Sequence, residues 1–172
     1  MVGELHFVLP PTRHVRGRHV RIERACMLNQ RLPRNALALA VDHTLVREGI
    51  RTALVTVVLC DDATITPINA EFLQHNWATD VVTFPLCQSP LEGEIYISVE
   101  TAARQAAEHG IALRTELIRL AVHGTLHLLG YDDTTDGART TMYARQEAYV
   151  EQIIARLRRC AQCNRRPRSS AG

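Results

Sequence analysis

The apolar residues of this chain fall into a series of alternating and helically spaced runs. In His19-Val20-Arg21-Ile22-Glu23 they alternate with polar residues, the pattern of an edge strand. Pro33 then opens a helix. From Arg34 to Glu48 the positions Leu37, Val41, Leu45 and Val46 keep helical spacing as far as Gly49, a residue suited to a helix C-terminus. The stretch Ala53 to Cys60 is β-branched, short and bounded by charge, which predicts a buried strand. Asp61 or Asp62 can cap the helix that follows, with Ile65, Ile68, Asn69 and Phe72 on one face. Asp80 to Phe84 predicts a further strand ended by Pro85, and Gly93 to Ser98 alternates as another. Ser98 caps a helix to about His109, and a longer one runs from about Leu113 to Leu129, stopped by Gly130. A last helix is expected from about Gly137 to Arg159, where Met142, Tyr143, Tyr149, Ile153 and Leu157 are near-helically spaced. About four strands and about five helices, unevenly interleaved, make one α/β (α+β) layer domain with a small mixed sheet.

Composition agrees with one domain: 172 residues, 46% of them hydrophobic, supply a single sizeable core. The apolar run at 53–60 is far shorter than the roughly 20 residues that cross a bilayer. Met1 to Arg13 lacks the basic-then-apolar order of a secretion signal, so a cytoplasmic protein with no membrane contact is expected. Charge is unevenly spread. Residues 1–34 hold seven Arg against Glu4 and Glu23, residues 156–172 hold six Arg and no acid, and residues 35–155 hold seven Arg against sixteen acids. Every basic residue is Arg, whose planar fork suits phosphate oxygens. The expected organisation is an Arg-rich extension over 1–17, a domain over 18–158 and a basic, disordered tail over 159–172. Five scattered cysteines imply no disulfide framework, and Cys160-Ala-Gln-Cys163 lacks the second pair of ligands that a zinc site needs.

Candidate chemistry gathers in Ala121-Val-His-Gly-Thr-Leu-His-Leu-Leu-Gly-Tyr-Asp-Asp133. His123 and His127 are four apart, so on a helix their rings share a face and both can reach one ion. Such a pair arises by chance roughly 0.4 times in a chain with this many histidines, and requiring an Asp ten residues after the first cuts that to about one or two in a hundred. Gly130 permits a left-handed turn that folds Tyr131, Asp132 and Asp133 back toward the imidazoles, so a carboxylate can be the third ligand. Two His and one carboxylate with an open position is a catalytic zinc arrangement. Peptidase chemistry is disfavoured, because the residue after the first His is Gly124 rather than the Glu that acts as general base in His-Glu-x-x-His. His6, His14 and His19 read as surface residues, His75 and Trp77 as loop packing, and Asp80 as the group that orders the turn before its strand.

Positions 123 to 132 resemble the signature of the YbeY family of bacterial metal-dependent endoribonucleases, His-Gly-x-x-His-Leu-x-Gly-Tyr-Asp-His. Ile68-Asn-Ala-Glu-Phe72, Thr79-Asp-Val-Val-Thr-Phe-Pro85 and Glu92-Gly-Glu-Ile-Tyr-Ile-Ser98 are similar to other segments of the family, and the likeness spans about residues 18 to 158. The resemblance implies a zinc-dependent endoribonuclease that cuts single-stranded RNA in rRNA maturation, at the 16S rRNA 3′ end, and in ribosome quality control. It implies one Zn²⁺ per chain, with small-subunit rRNA and ribosomal proteins as partners. Among the departures from the pattern, which include Ala78 where the family has Pro before Thr-Asp, two matter most. The family's third zinc-binding His corresponds to Asp133, so the implied ligand set is His123, His127 and Asp133, with Asp132 and Asp136 as the other carboxylates nearby. The family's Arg at the scissile phosphate corresponds to Leu73. These departures leave a competing reading: a catalytically weak or inactive, zinc-stabilised ribosome- or RNA-binding protein.

Overall fold

Four strands, β1 (Arg18–Arg24), β2 (Ala53–Cys60), β3 (Val81–Gln88) and β4 (Leu91–Ser98), form one sheet in the order β1-β2-β4-β3. The structure is a computed structural model that describes residues 16–25, 32–73 and 79–164. His6, His14, Cys26, His75 and Trp77 lie outside the described residues. β1, β2 and β4 run parallel and β3 is antiparallel to β4, so the sheet is mixed, as the sequence predicts. Alternation along β2 and β4 sends Val55, Val57, Ile95 and Ile97 to one face, where all are fully buried.

That face carries helices α1 (Arg34–Arg47) and α4 (Leu113–Leu128), with α5 (Asp136–Asn164) packed on both and α3 (Val99–Glu108) beside α4. Their buried stripes and the sheet make the main core, centred on α4, from which Leu117, Ile118, Leu126 and Leu128 are buried. Helix α2 (Asp62–Leu73) packs on the opposite face, where Ile65 joins Cys60 and Val82 in a second, smaller cluster. Asp61 is its cap: the Thr64 N–H donates to Asp61 Oδ1 at 2.8 Å. Asp62 instead accepts from Ser98 Oγ (2.5 Å) and Thr101 Oγ1 (2.7 Å), tying α2 to the start of α3.

Two boundaries differ from those predicted. β3 does not end at Pro85 but continues to Gln88. It is an edge strand whose register shifts between Pro85 and Cys87, and an edge with a bulge tolerates a residue that has no N–H to give. Helix α5 runs to Asn164, past the end predicted for it near Arg159. No glycine or proline interrupts residues 159–164, so nothing local stops the helix there.

One contact sets how close α4 lies to the sheet. A Cβ built on Gly124 would sit 2.6 Å from Ile95 Cγ2 and 3.1 Å from Thr83 Cγ2. On Gly93, across the same interface, it would sit 2.7 Å from a Leu128 methyl. Gly124→Ala therefore overpacks the helix–sheet contact, at about 1–3 kcal/mol. The better helix propensity of Ala, about 1 kcal/mol, offsets only part of this. The expected net loss is up to about 2 kcal/mol, or roughly 4–8 °C in Tm at that upper end. A thermal melt of the variant checks it, and a Tm equal to or above wild type would overturn the packing argument.

Candidate metal centre

His123 and His127 stand one turn apart near the C-terminal end of α4, and the helix ends immediately after them. The Gly130 N–H donates to the His127 carbonyl (2.9 Å) and the Tyr131 N–H to the Leu126 carbonyl (3.1 Å), the bonding of a Schellman cap. Gly130 has φ +87°, a left-handed conformation that costs glycine little. The reversal carries the Tyr131 carbonyl onto His127, whose Nδ1–H donates to it at 3.0 Å. Asp132 fastens the next residues. Its carboxylate accepts from the N–H groups of Asp133 (2.7 Å) and Thr134 (3.0 Å) and from Thr134 Oγ1 (2.5 Å). Those bonds hold its carboxyl below the usual range and leave Asp132 committed to the turn. Asp133 then points back, with Oδ2 3.9 Å from His127 Nε2 and 4.0 Å from His123 Nε2. Asp136 stands fully exposed at the start of α5, paired with Arg139.

His123, His127 and Asp133 thus bring one ligand atom each within 4.8 Å of one another, and theirs is the one such group among the described residues. His123 Nδ1–H donates to Gln146 Oε1 on α5 at 2.8 Å. Because Gln146 Oε1 and the Tyr131 carbonyl only accept, each ring carries a proton on Nδ1 and turns Nε2 inward, and in the neutral ring that Nε2 is bare. The two Nε2 atoms are 3.0 Å apart. Two lone pairs facing at that distance repel unless a cation lies between or beside them. A tetrahedral zinc with bonds of about 2.0–2.1 Å holds its ligands about 3.3 Å apart, so the pair fits once it opens by about 0.3 Å, and Asp133 needs a somewhat larger approach. Burial, then the neighbouring His123, push the His127 imidazole below its ordinary pKa, against the pull of Asp133, the Tyr131 carbonyl and Asp132. The neutral ring is the form that binds metal.

The centre opens into a cavity of about 400 Å³ whose far wall is the chain from Thr79 to Thr83. Asp80 in that wall is already engaged: Oδ1 accepts the Val81 N–H (2.8 Å) and the Thr79 hydroxyl (3.2 Å), and Oδ2 accepts Gln105 Nε2 (3.0 Å). It orders the start of β3, as its sequence context suggests. Gly124, at the position of the peptidase Glu, faces Ile95 and Thr83 in the sheet with no room for a side chain. A base at that position is excluded sterically as well as by sequence.

A family model described as Endoribonuclease YbeY matches residues 22–154. The chain belongs to the YbeY family. An endoribonuclease YbeY from Rhodopirellula baltica is 43% identical over 124 residues, covering 70% of this chain and 64% of that protein. Another from Chlorobium phaeobacteroides is 36% identical over 123 residues, covering 71% of this chain and 89% of the relative. The solution structure of TM1509 from Thermotoga maritima is similar with a TM-score of 0.59 at 28% identity, covering 89% of this chain and 98% of that one. Membership places the chain among YbeY endoribonucleases, and so in the hydrolase class that the sequence resemblance implies.

Sequence reasoning missed the groups that brace the centre from a distance. Glu48, at the C-cap of α1, accepts from Tyr131 Oη (2.9 Å), Tyr149 Oη (2.5 Å) and Arg145 (2.9 Å). Arg145 also lies over the Tyr131 ring, 5.1 Å from its centroid. This knot anchors the turn that presents Asp133, yet its members lie 83 to 101 residues apart in sequence from Glu48. Burial pushes the Glu48 carboxyl up, but the hydrogen bonds from Tyr149, Arg145 and Tyr131 and the Arg145 charge outweigh it and hold it below the ordinary value. A depressed carboxylate contributes stability above its unfolded pKa, about 4.3, and loses it as pH falls through the folded value. Glu48→Gln is therefore expected to be about 1–2 kcal/mol less stable near neutrality, with the gap closing as pH falls below about 4. Urea melts of both proteins between pH 3 and 7 measure this, and a pH-independent difference would contradict it.

Proposed function

We propose that the chain is a zinc-dependent endoribonuclease of the cytoplasm. It cuts single-stranded RNA in rRNA maturation, at the 3′ end of the small subunit's 16S rRNA, and serves ribosome quality control in contact with ribosomal proteins. The observation that carries the proposal is the pair of facing Nε2 atoms with the Asp133 carboxylate beside them, opening on a cavity able to admit a phosphodiester. His123, His127 and Asp133 hold one Zn²⁺. A zinc ion there supplies Lewis-acid polarisation of a phosphoryl oxygen and a nucleophilic water at neutral pH. Asp133 adds one negative charge that a third imidazole would not, and the Gly130 turn sets its approach. The Thr79–Thr83 wall lies opposite and orients what enters the cavity. No helix among the described residues is long and apolar enough to cross a membrane.

A second reading, a zinc-stabilised RNA- or ribosome-binding protein with little activity, is favoured by one observation. Among the described residues, none of those lining the cavity is an arginine. A phosphoryl transition state gains charge on its oxygens, and a guanidinium aimed at it is worth orders of magnitude in rate.

Elemental analysis of the purified protein, run beside a cleavage assay on unstructured RNA, separates the readings. Wild type is expected to carry about one zinc and to cut RNA, while His127→Ala and Asp133→Ala lose metal and activity together. Zinc without cleavage would favour the binding reading, and no zinc in wild type would overturn both. Leu73→Arg restores a guanidinium at the position where the family pattern has one, and kcat/KM is expected to rise roughly 10-fold or more. An unchanged rate would mean that this position does not limit the chemistry.

A further inference from the structure

Behind the metal centre runs a line of hydrogen bonds that neither the ligand spacing nor the family match assigns. His123 Nδ1–H donates to Gln146 Oε1 (2.8 Å), and Gln146 Nε2 donates to Glu147 Oε1 (3.0 Å). Arg119 grips Glu147 through Nε (2.8 Å) and Nη2 (3.2 Å), and through Nη1 donates to Glu116 Oε2 (2.6 Å). Glu116 and Gln146 are buried, 3% and 5% exposed. An amide can sit either way round, but Glu147 accepts only, so it must face the NH₂ group and Oε1 must face His123. Arg119 holds Glu147 ionised: the bonds from Arg119 pull its carboxyl below the ordinary range against the push of burial. The orientation of the amide is thus set two residues away from the ring that it holds.

We infer that Gln146 is a positioning residue for His123, locking the tautomer and the ring plane that aim Nε2 at the metal, and that the Arg119–Glu147 pair enforces the direction of its amide. The inference rests on the metal reading given above. Metal-binding histidines ordinarily give their second N–H to an acceptor that fixes the ring and raises its basicity, and loss of such an acceptor costs about 10–100-fold in metal affinity. The acceptor here is neutral. With Asp133 already bringing a negative charge to the ligands, an amide behind His123 orients the ring without adding a second charge that would weaken the ion's pull on its water.

The experiment measures zinc affinity by competition with a chromophoric chelator and records the visible spectrum of the cobalt-substituted protein. It compares wild type with Gln146→Leu, Gln146→Glu and Glu147→Gln. Gln146→Leu is expected to bind zinc about 10–100-fold more weakly and to show an altered cobalt spectrum. Gln146→Glu, which keeps an acceptor on Nδ1, returns affinity to the wild-type level or beyond it. Glu147→Gln, which frees the amide to turn, loses affinity by a smaller factor. Melting curves of the metal-free proteins identify variants that merely fold poorly, and Glu147→Gln carries the test where Gln146→Leu does not fold, unchanged zinc affinity in it then overturning the inference. Unchanged zinc affinity and cobalt spectrum in a folded Gln146→Leu would overturn the inference, as would failure of Gln146→Glu to bind better than the Leu variant. Absence of zinc binding by wild type would instead overturn the metal reading itself.

Discussion

Helix α4 rests on the sheet at Gly124, with Ile95 and Thr83 so close that no side chain fits between them. At 100° per residue, His123 and His127 project roughly 60–100° to one side of that line of contact. They therefore look neither into the core nor straight out to solvent, but along the sheet toward its β3 edge, where Thr79 to Thr83 wall the cavity. A bulkier residue at 124 would lift the helix and change the distance between the imidazoles and that wall. The glycine between the histidines serves position, whereas in a peptidase helix the same place serves chemistry.

The end of α4 extends the same logic. A helix that ran on past Leu129 would carry Asp133 down its axis, away from the imidazoles of His123 and His127. The Gly130 reversal returns the chain within two residues, and Tyr131 is used twice: its carbonyl takes the His127 Nδ1–H, and its hydroxyl bonds Glu48. Ring orientation at His127 and placement of the acidic turn are thus coupled through one residue. Gln146 does for His123 from α5 what the Tyr131 carbonyl does for His127 from the turn. Each imidazole is oriented by an uncharged oxygen, and Asp133 is the single charged group placed against both.

Much of this was legible in the sequence because it is locally encoded. The strands, the helices, the glycine that ends α4, the paired histidines and the candidate carboxylate depend on residues within a turn or two of one another. The course of β3 was not legible, since whether Pro85 ends a strand depends on its lying at an edge beside a bulge. Nor does spacing alone say which of Asp132 and Asp133 faces the histidines. The choice follows from three hydrogen bonds that spend Asp132 on the turn. Glu48 and Gln146 were invisible for a simpler reason: 83 and 23 residues separate them from the groups they hold, and no periodicity links positions that meet only through the packing of α1 and α5 on α4.

The charge of the cavity bears on how RNA would be held. Asp133 and Asp80 line it, the imidazoles are neutral as ligands, and the described lining contains no cation. Without a metal ion the cavity carries negative charge and repels a phosphodiester. A divalent ion brings the sum to about zero, which removes the repulsion but supplies little net attraction. On the proposed reading, attraction for an RNA backbone would then arise outside the cavity, and the chain's cations are concentrated where its acids are few, before residue 35 and after residue 155. On that reading, an acidic body with arginine-rich flanks would divide the work: the flanks would supply sequence-independent affinity for the backbone, and a metal-neutralised centre would decide where a phosphate can be attacked.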